Sequence, residues 1–274
     1  MHEFVSPHPL AKVPEITLGF WIIKILATTL GETAGDSITM SWLGETTPQA
    51  GTGWFSGYLI GTALLIVPLV MLVFAQIRAA RFHPLLYWLT IIASTTAGTT
   101  LADFCDRSLG VGYAGGASAL FACVLGSLAL WRWTLGSVSV ESVREPRAEM
   151  FYWLTITFSQ TLGTALGDWT ADSTILGHDI GYTGGAVIFG AGLAVVAALW
   201  FSTRVSRAAL FWAAFILTRP LGATLGDFFD KPLGKGGLDV SRPLASAILL
   251  AATALCLWVF PQRASRVSHL EQHA

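Results

Sequence analysis

The chain has 274 residues, 53% of them hydrophobic and 12% charged, with a formal net charge of −1 and a mean hydropathy of +0.61. A soluble domain averages about 25% charged residues, so this composition points to an integral membrane protein whose partner is the lipid bilayer, and the balanced charge gives no case for nucleic acid. Cys105, Cys123 and Cys256 form no CxxC pair, and His2, His8, His83, His178, His269 and His273 all fall in tails or loops, which argues against a disulfide framework, a zinc site or a haem held between helices.

The first fourteen residues are polar and contain proline, so they read as a tail and not as a signal peptide. A spanning helix needs about 20 mostly apolar residues. Eight stretches meet that need, in chain order 16–37, 54–77, 84–104, 113–133, 149–169, 182–202, 208–228 and 242–260. The expected fold is an all-α polytopic membrane protein with eight transmembrane helices. A single membrane domain covers 15–262 between tails 1–14 and 263–274.

The helices pair into four tandem hairpins, with repeats at 15–80, 81–140, 146–204 and 205–262. Each first helix carries a tryptophan followed 15 positions later by an aspartate: Trp21/Asp36, Trp88/Asp103, Trp153/Asp168 and Trp212/Asp227. Within each pair lies a small-xxx-small element: Gly31/Gly35, Gly98/Ala102, Gly163/Gly167 and Gly222/Gly226. Such pairs let helix backbones approach closely in lipid. Three second helices open on a similar element, Gly53/Gly57, Gly112/Gly116 and Gly181/Gly185. Two helices per repeat give every repeat the same orientation, so the repeats are parallel. A quasi-fourfold ring, or two pairs of repeats, follows.

Lysine and arginine set the orientation. Lys12, Arg78, Arg81, Arg132, Arg144, Arg147, Arg204, Arg207, Arg263 and Arg266 lie in the tails and between repeats, against Arg107, Lys231, Lys235 and Arg242 inside repeats. The positive-inside rule then puts both termini in the cytoplasm. Trp88, Trp153 and Trp212 open first helices, and Trp131, Trp133, Trp200 and Trp258 close second helices. All are expected as anchors at the cytoplasmic membrane interface.

Counting back from each aspartate in steps of four follows one helix face. The faces read Asp36, Glu32, Thr28, Lys24; Asp103, Thr99, Thr95, Ile91; Asp168, Thr164, Gln160, Ile156; and Asp227, Ala223, Arg219, Phe215. In lipid such polar stripes must face protein or water. First helices are therefore expected inside, around a central aqueous cavity, with second helices outside. Glu32 is expected to pair with Arg219 if repeats one and four are neighbours. The aspartates can alternatively cap the turns that follow them.

Hard oxygen ligands without histidine or cysteine suit Mg²⁺, Mn²⁺ or Ca²⁺. Asp106, Asp172, Asp179, Asp230 and Asp239 add acid to the outer loops. The expected function is passage of a divalent metal ion, as substrate and not as a permanent cofactor, with export as its direction. Asp36, Asp103, Asp168, Asp227 and Glu32 are the expected metal ligands. Lys24, Thr28, Thr95, Thr99, Gln160, Thr164 and Arg219 complete the path. There is no G-x-S-x-G, no H-E-x-x-H and no phosphate loop, so no enzyme is expected. A small organic cation, an aspartate-dependent enzyme and a non-transporting sensor are the alternatives. The sequence leaves self-association into a homo-oligomer open.

The fourfold W-x9-G-x3-[GA]-D pattern, with its GETAGD, GTTLAD, GTALGD and GATLGD strings, resembles a bacterial membrane protein family of four tandem two-helix repeats. That family has long been labelled as of unknown function. The resemblance covers about 15–262 and implies a bacterial inner-membrane location. The residue after each glycine varies (Glu32, Thr99, Thr164, Ala223), so the repeats are expected to have specialised.

Overall fold

A computed structural model describes residues 11–45, 55–175 and 177–265. His2, His8, Gly53, Arg266, His269, His273 and the outer parts of both tails lie outside the described residues. The fold is all-helical. Eight long helices run in chain order: α1 (Leu18–Asp36), α2 (Gly57–Arg78), α3 (Pro84–Asp103), α4 (Tyr113–Leu135), α5 (Pro146–Ala171), α6 (Gly181–Ser202), α7 (Arg207–Asp230) and α8 (Arg242–Val259). Each begins and ends within a few residues of its expected place. Local chemistry sets the starts. Thr17, Ser56 and Ser206 accept hydrogen bonds from Phe20, Leu59 and Ala209 backbone N–H groups, and prolines open α3, α5 and α8. α1 and α3 run on into π-helical turns at Ser37–Trp42 and Phe104–Ser108. A two-stranded hairpin, β1 (Thr174–Ile175) with β2 (His178–Asp179), links α5 to α6.

Among the described residues, six helices are long and apolar enough to cross a membrane: α2, α3 with its π extension, α4, α6, α7 and α8. α1 and α5 fall outside that group, and both carry polar stripes. Burial divides the helices into two layers. The spanning windows of α3 and α7 are 67% buried, whereas those of α2, α4, α6 and α8 are between 11% and 28% buried. α1 packs against α3 and α7, and α5 packs against the same two, so the four first helices form a closed inner ring. Each second helix covers the first helix of the following repeat, α2 on α3, α4 on α5 and α6 on α7, while α8 returns to cover α1.

Close approach at the small residues builds the ring. A Cβ on Gly31 or Gly35 would strike Thr95 or Thr99 of α3, and one on Gly98 would lie 3.0 Å from the Gln160 carbonyl carbon of α5. Gly163 and Gly167 face Arg219 and Ala223 of α7, and Gly222 and Gly226 face Thr28 and Glu32 of α1. At all four joints the stripe of one helix thus seats against the small residues of its neighbour. The outer layer repeats the device at Gly116 against Asp106 and Gly185 against Thr224.

The tryptophans depart from expectation. Trp88, Trp131, Trp153 and Trp212 are not anchors at a headgroup layer. They are buried together with Phe20, Tyr87, Tyr152, Phe211 and Phe215, and they fill one end of the ring. The physical reason is area: large rings at the mouth of a four-helix ring bury more surface against one another than against lipid. The Tyr87 and Tyr152 hydroxyls lie 2.6 Å apart, Trp88 Nε1–H donates to Gln262 and Trp212 Nε1–H donates to the Val138 carbonyl, whereas among the described residues Trp131 Nε1 has no hydrogen-bond partner. Trp133 and Trp258 are exposed, as anchors would be. At this same end the segment before α1 pairs with the segment after α8: Ala11 and Glu15 donate to the Ser265 and Arg263 carbonyls, and Lys12 bridges to Glu149 at 2.6 Å.

If the close approach is the organising contact, Gly163→Ala forces Arg219 or its backbone aside and costs about 1–3 kcal/mol. Gly190 on α6 has open space where a Cβ would go, so Gly190→Ala is expected to be neutral or to stabilise by about 0.5–1 kcal/mol. Thermal unfolding of the two purified variants in detergent checks the contrast.

Candidate functional site

Midway along the ring the stripes meet on one ion pair. Arg219 Nη1–H donates to Glu32 Oε2 at 2.9 Å, and both side chains are enclosed, at 0% and 3% exposure. Arg219 Nη2–H donates to the Thr99 hydroxyl at 2.6 Å and to the Thr164 hydroxyl. The Thr99 and Thr164 hydroxyls donate in turn to Glu32 Oε2, at 3.4 and 3.2 Å. All four repeats therefore contribute to one knot. In the fourth repeat the position one turn beyond is the small Ala223. The expected partnership of Glu32 with Arg219 is realised.

The axis around the knot is packed, and this corrects the expected open cavity. Lys24, Thr28, Thr95, Thr99, Gln160, Thr164 and Arg219 are each no more than 1% exposed. The space that four stripes could leave is taken by long side chains pointing to a shared centre. Two apolar grooves, of about 440 and 700 Å³, lie to the side. The first is lined by α1, α6 and α7, and the second by residues of α4 and α7.

One or two turns from the knot lie the four aspartates, all buried. They do not each tie off a separate turn. Arg107 Nε lies 2.8 Å from Asp103 Oδ1 and its Nη2 lies 3.3 Å from Asp168 Oδ2. Lys231 Nζ bridges Asp36 and Asp227, the latter at 2.8 Å. Glu32, Asp168 and Asp227 each offer a carboxylate oxygen within 4.8 Å of the others. The expected metal ligands Asp36, Asp103, Asp168, Asp227 and Glu32 are thus linked into one network. A carboxylate near a helix C-terminus is disfavoured by the dipole, and a cation there is favoured. The two bridging cations meet both demands.

Other expected path residues stand apart from this network. Lys24 Nζ lies 4.0 Å over the Phe215 ring and 3.3 Å from the Thr218 hydroxyl, and among the described residues no carboxylate lies within 4.0 Å of it. It sits two turns further along the stripe than Glu32. Thr28 spends its hydroxyl on the Lys24, Ile25 and Thr218 carbonyls. Thr95 reaches the knot through its backbone carbonyl, 3.4 Å from Arg219 Nη2. Gln160 is fully enclosed with neither amide atom hydrogen-bonded. Asp172, Asp179 and Asp239 stay exposed in the loops, but Asp106 and Asp230 are buried.

Arg107, Lys231, Asp230 and Arg242 are site residues that counting charges in loops misses. A signal for three of them exists. The second and fourth repeats read DFCDR and DFFDK from their aspartates, whereas the first and third read DSITM and DWTAD. A basic residue four positions after an acid on a helix faces it. Lys231 follows the last residue of α7. Burial alone would lower its ammonium, but Asp227, Asp36 and Asp230 outweigh burial and hold it well above the ordinary lysine value.

Fold and site together define a repeat membrane protein with a charged, enclosed axis. The chain matches the family described as "Repeat of Unknown Function (DUF347)" in four copies, at 19–82, 86–136, 151–206 and 210–264, and it belongs to that family. No curated protein and no solved structure matches it.

Removing one partner of a buried ion pair leaves an unpaired charge and costs about 3–5 kcal/mol, whereas replacing both with apolar groups is often neutral. Arg219→Met is therefore expected to destabilise strongly, and Arg219→Met with Glu32→Leu to recover most of the loss. A double-mutant cycle on thermal unfolding measures it.

Proposed function

We propose that the protein is a cation transporter of the bacterial inner membrane, and that its substrate is a divalent metal ion of the Mn²⁺ or Mg²⁺ type. The observation that carries this reading is the meeting of Glu32, Asp168 and Asp227. Three helices bring three enclosed carboxylates within 4.8 Å of one another. Oxygen ligands of this kind suit hard cations. Carboxylates inside a membrane are expensive, and where they occur they commonly mark an ion pathway.

All eight helices span the bilayer in this reading, with α1 and α5 shielded by their apolar neighbours. The inner ring is quasi-fourfold in its glycine joints and twofold in its bridging cations. The excess of lysine and arginine in the tails and inter-repeat loops supports cytoplasmic termini. The aromatic end then faces the cytoplasm and the carboxylate end faces outward.

Arg219 has a defined part in such a cycle. In the arrangement described it neutralises Glu32. An arriving cation takes over that role, and enclosed charge stays balanced throughout. Thr99 and Thr164 hold both partners and offer neutral oxygens. The closed axis corresponds to a state sealed at both ends, by aromatic rings on one side and by the Arg107 and Lys231 bridges on the other.

One observation favours an organic cation as second reading. The aspartates hold a guanidinium and an ammonium from the chain itself. Flux assays on proteoliposomes separate the readings: Mn²⁺ uptake against a manganese-sensitive dye, with alkylamines as competitors. Glu32→Gln, Asp168→Asn and Asp227→Asn are each expected to lower Mn²⁺ flux at least tenfold at normal protein levels, about 1.4 kcal/mol of barrier or more. Flux equal to wild type in all three would remove the metal path. Hydrolysis of a peptide or lipid by the purified protein would replace transport with catalysis.

A further inference from the structure

The carboxylate end holds a second acidic group beside the proposed path. Asp36 of α1 and Asp227 and Asp230 of α7 each present an oxygen within 4.8 Å of the others, and all three are buried. Lys231 Nζ lies among them, 2.8 Å from Asp227 Oδ1, 3.5 Å from Asp230 Oδ1 and in contact with Asp36 Oδ2. The Met40 sulfur is 3.9 Å from the same nitrogen. Arg242 Nε stands back, at 3.8 Å from Asp230 Oδ2 and 3.9 Å from Asp36 Oδ2.

Asp230 is the group that does not fit a merely structural cage. Its side chain is 0% exposed, and neither carboxylate oxygen accepts a hydrogen bond. Lys231 and Arg242 reach it only at ion-pair range. An enclosed carboxylate without a donor is costly, so the cage has more acceptor capacity than its resident cation fills.

The shape of the cage selects its occupant. An ammonium has three N–H donors on a compact charge, and three carboxylates face it here. A guanidinium is a planar fork that suits one or two carboxylates side by side, which is how Arg107 is used between Asp103 and Asp168. Mg²⁺ demands near-octahedral oxygen, whereas this cage already places a charged nitrogen at its centre. The position is repeat-specific: Lys231 occupies the place held by Met40 and Asp172 in the odd repeats.

We propose that Asp36, Asp227 and Asp230 form an outer binding site for a primary ammonium group, and that Lys231 is its tethered occupant when no external amine is bound. The proposal rests on the transport reading in one respect, that external cations reach this end. Lys231 then regulates entry: it closes α7 onto α1 while in the cage, and an amine that takes its place releases that bridge.

Chemical rescue tests this directly. Lys231→Ala empties the cage while leaving its carboxylates. Methylammonium chloride should raise the unfolding temperature of that variant saturably, by about 2–4 °C. Tetramethylammonium chloride at equal ionic strength should not, because it has no N–H. Wild-type protein, in which methylammonium must compete with the tethered Lys231, should shift measurably less than the variant and not at all with tetramethylammonium, and Asp230→Asn added to Lys231→Ala should abolish the response. Lys231→Gln, closer in size, serves if the alanine variant is not recovered. If neither is recovered, both are grown and purified in methylammonium, and recovery there supports the cage. Equal effects of the two salts, an equal shift in wild type, or failure of methylammonium to restore either variant overturns the proposal. Mn²⁺ flux through wild-type proteoliposomes reads the transport proposal separately, so rescue without flux and flux without rescue are distinct results.

Discussion

A charge cannot be left facing hydrocarbon, and the Glu32–Arg219 pair shows what that constraint builds. The two residues are 187 positions apart, at opposite ends of the repeat array. They meet because α7 packs against α1, which brings the fourth repeat back to the first. Glycine makes the meeting possible. Gly222 and Gly226 receive Thr28 and Glu32, and Gly163 receives Arg219, so the long polar side chains lie over bare backbone and reach the axis. Without those gaps the ring would stand wider and the pair would need water or lipid around it.

Much of this was legible from spacing. The tryptophan-to-aspartate interval, the small-xxx-small pairs and the steps of four fix which face of each first helix is polar. In a membrane that face has to turn inward. The ring, its two layers and the Glu32–Arg219 partnership follow from that single requirement. Hydropathy also gives the helix limits, because turns of glycine, proline and aspartate interrupt apolar runs.

What counting could not give is how the middle is filled. A periodic stripe reports direction, not distance from the axis or the length of reach. Four stripes can surround water or interlock, and Arg219 decides the matter by spanning from α7 to Glu32, Thr99 and Thr164 at once. The tryptophans illustrate the same gap. A tryptophan near a helix end suits a headgroup layer by composition alone. Four of them at one depth, with tyrosines beside them, suit each other better, and only packing reveals it. Lys24 and Thr28 lie on the same stripe as Glu32, yet depth along α1 separates them from the acids. The bridging cations are missed by counting loop charge, because Arg107 and Lys231 sit just past the points where apolar helix ends, and only their spacing of four from Asp103 and Asp227 marks them.

The two ends of the ring are closed by different physics, and this bears on how such a molecule would move. At one end Trp88, Trp131, Trp153 and Trp212 are shut by apolar area, which salt and external ions barely affect. At the other end Arg107 joins the second repeat to the third, and Lys231 joins the fourth to the first. Among the described residues no such bridge joins the first to the second at this level, because the odd repeats carry Met40 and Asp172 where the bases would stand. Ion bridges exchange with other cations, whereas aromatic contacts do not. A chain of four similar hairpins thus has one end closed by ion bridges and one closed by aromatic rings, with Glu32 and Arg219 between them. In a ring whose glycine joints are alike, it is the bridging cations that distinguish the even repeats from the odd ones.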